Sequence, residues 1–139
     1  MCDIIASVFI ACIVFMVSTF IHEFAHLLMC RILNCRVVGM KALFLCYDGH
    51  KWSFKLSGKN HCAFITDNGM IMKTIVAAGP TAEVVVILCS LLIAYLSSLI
   101  YIRIGFVCAA IMIAISILFN LLPMTNGDGK MLFKKERDK

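Results

Sequence analysis

Hydrophobic and polar positions divide the chain into three long apolar stretches and one polar interruption. The first stretch covers residues 4–30, and Glu23 is its only formally charged residue. The second covers about 74–102, where Glu83 alone is charged, and the third covers 104–124 with no charge. Each is long enough for a helix to cross an apolar layer about 30 Å thick. Arg103 separates the second from the third, close to Ser97, Ser98 and Gly105, so a tight helical hairpin is expected there. The polar interruption covers 31–73. Within it, residues 51–56 alternate polar and apolar in the manner of a strand, and 37–47 are rich in strand formers. Asp48-Gly49 between them is a hairpin signal. Residues 61–66 supply a third strand, closed by Asp67, Asn68 and Gly69. The expected fold is an α-helical membrane protein of three transmembrane helices. A small antiparallel β-sheet is inserted between the first and second.

Composition strengthens the membrane reading. Of 139 residues, 62% are hydrophobic, against roughly 45–50% in a soluble domain. One membrane-embedded unit over 1–139 is the expectation, in a multi-pass protein of a bacterial cytoplasmic membrane. The net charge of +5 does not point to nucleic acid, because the basic residues flank apolar spans and form no stripe. They set orientation instead. Arg31, Arg36, Lys41, Lys51, Lys55, Lys59 and Lys73 lie in the interruption, and Lys130, Lys134, Lys135, Arg137 and Lys139 in the tail. Only Arg103 falls on the other side. The positive-inside rule then places the insertion and the tail at 130–139 in the cytoplasm, and the N-terminus outside. The first stretch lacks the basic lead-in of a cleaved signal and is expected to be retained.

Eight cysteines occur without any Cys-x-x-Cys pair, so no disulfide framework is expected. Cys35, Cys46, His50, His61 and Cys62 share the insertion, but their spacing fits no standard zinc pattern. They read as ordinary reduced loop residues.

Candidate chemistry begins with His22-Glu23-Phe24-Ala25-His26. Residues four apart share a helix face, so both imidazoles can meet one zinc ion. A zinc ion lowers the pKa of a water ligand to about 7. Glu23 would take that proton as general base and return it to the leaving amine as general acid. Ionisable groups inside an apolar span are costly and mark function by default. A catalytic zinc site takes a third protein ligand, and Glu83 and Asp128 are the candidates on the same side of the membrane. Pro123 should stop the third helix, and Gly127 and Gly129 permit a return loop that brings Asp128 back.

Three separated motifs resemble those of the site-2 protease family of intramembrane zinc metalloproteases. The first is His22-Glu23-x-x-His26. The second is Gly79-Pro80-Thr81-Ala82-Glu83, similar to the family's Gly-Pro-x-x-Asn. The third runs from Asn120 through Pro123 to Gly127-Asp128-Gly129, and looks like an Asn-x-x-Pro run ending in Leu-Asp-Gly. Nearly the whole chain is covered, as a minimal three-helix core. The resemblance implies Zn2+ as the cofactor, one per chain, and Asp128 as its third ligand. It implies hydrolysis of a transmembrane or membrane-associated protein or peptide substrate within the lipid bilayer. It also implies that the cytoplasmic sheet holds that substrate by strand addition.

Two departures stand out: Glu83 replaces the family's Asn, and Gly127 its Leu. Asn120 can donate to a substrate carbonyl or a developing oxyanion, or equally hydrogen-bond a neighbouring helix. Gly79 lets helices approach closely, and Pro80 loosens the backbone beside it. The rival reading is a zinc-binding membrane protein that binds transmembrane segments without cutting them. An intact Glu23 argues against it, because a pure zinc site has no need of that carboxylate.

Overall fold

The computed structural model describes residues 2–55, 60–66, 68–122 and 128. Helix α1 runs Cys2–Ile32 without an internal glycine or proline to interrupt it. Asp3 in its first turn and Arg31 in its last both complement the helix dipole. A Schellman motif closes it. Asn34 takes a positive φ of 53°, Cys35 N–H donates to the Cys30 carbonyl at 2.8 Å, and Asn34 N–H to that of Arg31 at 3.2 Å.

Helix α2 covers Gly69–Leu96 and α3 covers Ile100–Leu121. The start of α2 lies ahead of the expected residue 74, because the Asn68 side chain caps it. Its Oδ1 accepts from Met70 N–H at 2.9 Å and Ile71 N–H at 3.3 Å. The hairpin between α2 and α3 also departs from expectation. It falls at residues 97–99, and Arg103 lies inside α3. Ser97 turns extended, and its Oγ accepts from Leu99 N–H at 3.3 Å, which ends the helix before the arginine. Gly105 therefore has a packing role and no turn role. A Cβ there would stand 2.9 Å from the Ile10 side chain and 3.0 Å from the Ser7 carbonyl. Ser7 Oγ lies 3.0 Å from the Tyr101 carbonyl, so α1 and α3 run side by side in one direction. The expected helix stop at Pro123, the return loop at Gly127 and Gly129, and the basic tail lie outside the described residues.

All three helices pack against one another, and each is long and apolar enough to cross a membrane. Their buried positions are mostly small or polar: Ser7, Ala11, Ser18, Ser90, Ala94, Ala109 and Ala110. Their outward positions are large and apolar, among them Phe9, Leu88, Leu92 and Leu118. That distribution inverts the pattern of a water-soluble helix bundle.

Four strands follow α1: β1 Arg36–Ala42, β2 Leu45–Tyr47, β3 Trp52–Phe54 and β4 His61–Ile65. They form one antiparallel sheet in the order β3-β2-β1-β4. The β2–β3 turn sits at the expected Asp48-Gly49, where Asp48 Oδ1 accepts from Lys51 N–H at 2.7 Å and His50 N–H at 3.1 Å. These two N–H groups hold the exposed Asp48 carboxyl below its ordinary range. The expected single strand over 37–47 is two strands. Leu43 breaks it with a φ of 56°, and its N–H donates to Asn60 Oδ1 at 2.8 Å. No turn-forming residue announces that break, which tertiary contact imposes. Met40 and Ala42 of β1 bury against Leu27 of α1, with Phe20 and Cys62 packed around them. The sheet is thereby fixed beside the His22–His26 face, with β4 as the edge strand next to it.

Candidate metal centre

His22 and His26 lie four residues apart on α1 and are 6% and 4% exposed. Their rings stand edge to face, with centroids 4.8 Å apart. Asp128 reaches the same point from beyond α3. His22 Nε2 is 3.0 Å from Asp128 Oδ2 and 3.1 Å from His26 Nε2, and His26 Nε2 is 3.4 Å from Asp128 Oδ2. Three corners of a tetrahedron drawn at zinc–ligand lengths of about 2.0–2.1 Å are about 3.3 Å apart. The observed triangle has that size. His22, His26 and Asp128 are the one group among the described residues with metal-holding geometry.

The outer contacts orient these ligands. His26 Nδ1 donates to the Ile75 carbonyl at 2.8 Å. A carbonyl only accepts, so the proton sits on Nδ1 and the Nε2 lone pair is free to face a metal. His22 Nδ1 lies 3.0 Å from Glu83 Oε2 on α2. Both atoms are buried and neither meets hydrogen-bond angles with any group, so they form a close polar pair short of an aligned bond. Asp128 Oδ2 lies against both Nε2 atoms, and its carboxylate would complete the donor set in the anionic form a metal requires.

Gly79 closes the site from α2. A Cβ at this position would stand 2.5 Å from His26 Nε2 and 2.7 Å from His22 Nε2. The donor atoms therefore share a space that only a glycine backbone leaves open. Pro80 follows, buried in α2, and supplies no N–H to the preceding turn.

A cavity of about 430 Å³ surrounds the triangle. Glu23, 8% exposed, lines it beside the ligands, as do Glu83 and Asn120. Of the eight residues assigned to the site from the sequence motifs, Gly79 and Pro80 do not line it. Gly79 still touches the imidazoles. The insertion residues divide differently from expectation: His61 and Cys62 of β4 line this cavity, whereas Cys35, Cys46 and His50 do not. Burial pushes the Cys62 thiol up to about 12, so at neutral pH it stays protonated in the cavity wall.

Thr19 and Ser116 also line the cavity and were not singled out from sequence. The available signal was helical spacing, since Thr19 precedes His22 by one turn and Ser116 precedes Asn120 by one turn. The Ile75 carbonyl carries no such signal. No family model matches this chain, and no curated protein or solved structure matches it.

Proposed function

We propose that this chain is an intramembrane zinc endopeptidase of the site-2 protease type. The observation that carries the reading is the convergence of two imidazoles and one carboxylate on a single point, with Glu23 in the same cavity. Two histidines and a carboxylate are a donor set of hydrolytic zinc enzymes, which leave a fourth position open. Zinc, when bound, supplies a Lewis acid that acidifies water and polarises a peptide carbonyl.

The chain's own residues do the rest. Glu23 accepts a proton from the attacking water and delivers it to the departing amine nitrogen, so one water is consumed per peptide bond cut. Asn120 donates its side-chain N–H to the substrate carbonyl oxygen, where charge develops. Ile75 and Glu83 hold the two imidazoles from behind. The substrate is a transmembrane segment or a membrane-associated precursor. A helical segment hides its peptide groups in i to i−4 hydrogen bonds and must unwind before it can be cut. The edge strand β4 offers that unwound chain a hydrogen-bonding partner, and His61, Cys62 and Phe64 of the same strand line the cavity.

The membrane is the solvent this reading requires. Large apolar side chains cover the outside of all three helices, while polar groups face inward. The basic residues of the insertion and tail support a site on the cytoplasmic side. The test is hydrolysis of a membrane-embedded probe by zinc-loaded protein in vesicles, with Glu23→Gln as the comparison.

A further inference from the structure

The metal cavity does not end at the ligands. A second cavity of about 380 Å³ lies between α1 and α3 and shares Phe15, Ser116 and Asn120 with the first. Its other walls are Met112, Ile115 and Phe119, which are 38%, 48% and 61% exposed on the outer face of α3. The two spaces meet at these three residues, with exposed apolar side chains at one end and the polar site at His22 and Glu23 at the other. The sequence of α3 builds both walls. Met112, Ile115 and Phe119 follow helical spacing along one apolar stripe, and Ser116 and Asn120 follow it along the polar stripe beside it. Phe15 precedes His22 by seven residues, about 10 Å along the helix axis, so the apolar end lies well inside the apolar span.

We infer that this groove receives the apolar stretch of a membrane-spanning substrate adjoining the bond to be cut, with Phe15 and Ser116 setting the size of side chain that passes. The inference rests on the proteolytic reading and adds the route of entry and the residues that select. A peptide fits the groove better than a lipid acyl chain. At its inner end Ser116 and Asn120 present a hydroxyl and an amide. An acyl chain would cover both without pairing them, whereas an unwound peptide offers matching N–H and C=O groups. At its outer end the walls are apolar and exposed, which suits a segment arriving from the bilayer core.

Photo-crosslinking tests this without cleavage. Full-length Glu23→Gln protein, zinc-loaded in phosphatidylcholine vesicles, would carry a benzophenone at residue 115. A control would carry it at residue 92, on α2 and outside the groove, where Leu92 is 56% exposed. The probe is a single-span leucine–alanine peptide with a central Asn-Gly pair that weakens its helix. Capture at 115 should exceed capture at 92 by at least about tenfold. Ser116→Trp should reduce it to the level of 92 while zinc stays bound. Met112→Trp, on the exposed rim, provides the same block should the change at half-buried Ser116 fail to fold. Equal capture at both positions, capture unchanged by either tryptophan, or crosslinks from 115 to phospholipid alone would overturn the groove assignment. Capture alongside an inert wild-type protein would count against proteolysis and leave the groove standing. Cleavage without capture would do the reverse.

Discussion

Glu83 Oε2 sits 3.0 Å from His22 Nδ1, on the opposite side of the ring from the Nε2 atom that meets Asp128. A carboxylate behind a ligating imidazole fixes the ring and raises the basicity of the metal-facing nitrogen. This gives Glu83 a physical role: it stands behind His22, outside the triangle formed by His22, His26 and Asp128.

Glu83→Leu should therefore weaken zinc affinity about 10- to 100-fold, the range for lost outer-shell partners of a metal site. Glu83→Gln keeps a polar oxygen beside His22 Nδ1 and should lose much less. Competition with a chromogenic chelator measures both. Equal affinity in Glu83→Leu and the parent would remove Glu83 from the support of the metal centre.

Gly79 supplies a second test. Gly79→Ala places a methyl carbon 2.5 Å and 2.7 Å from the two Nε2 atoms. Overpacking of about 1–3 kcal/mol corresponds to roughly a 5- to 150-fold loss of zinc affinity. Gly105→Ala meets Ile10 and Ser7 instead, so it should lower thermal stability and leave zinc binding alone. Metal content and melting temperature, read together, separate the two glycines.

His22 and His26 were legible in the sequence, because each carries an ionisable group where an apolar run makes one expensive. His22 and His26 share a helix face by spacing alone. The choice of Asp128 over Glu83 was not available from spacing and came from the family resemblance. The geometry supports it, since Asp128 Oδ2 contacts both Nε2 atoms while Glu83 lies behind one ring. The helices were legible from hydrophobicity, but their ends were set by polar caps at Asn68 and Ser97 that apolar runs do not mark. The division of one expected strand at Leu43 was hidden for another reason. A leucine at positive φ is dictated by its bond to Asn60, a partner 17 residues away.

The third ligand has its own signature. Asp128→Asn should retain the fold and lose zinc affinity along with activity, because a neutral amide replaces an anionic donor. His22→Ala and His26→Ala should each remove most of the roughly one zinc expected per chain. Zinc content unchanged in all three variants would place the metal elsewhere.

Orientation is testable with single cysteines in a cysteine-free background. Cys62 is a poor reporter, since its thiol is pushed up to about 12 and stays protonated. Lys55→Cys, exposed beside β3, and the exposed Cys2 are better suited. A membrane-impermeant thiol reagent added outside intact cells should label residue 2 and spare residue 55. The reverse pattern would place the insertion and the metal site on the external face.

The central claim is that the metal and Glu23 together cut peptide bonds. Its most direct measurement compares wild type with Glu23→Gln, both zinc-loaded, on one membrane-embedded probe in the same vesicles. Gln keeps the shape of the side chain and leaves both imidazoles in place, but at neutral pH it cannot accept the proton. Zinc content should stay at about one per chain while the rate of cleavage falls at least about 10²-fold, the low end of a general-base contribution. Cleavage by Glu23→Gln at the wild-type rate would contradict the account.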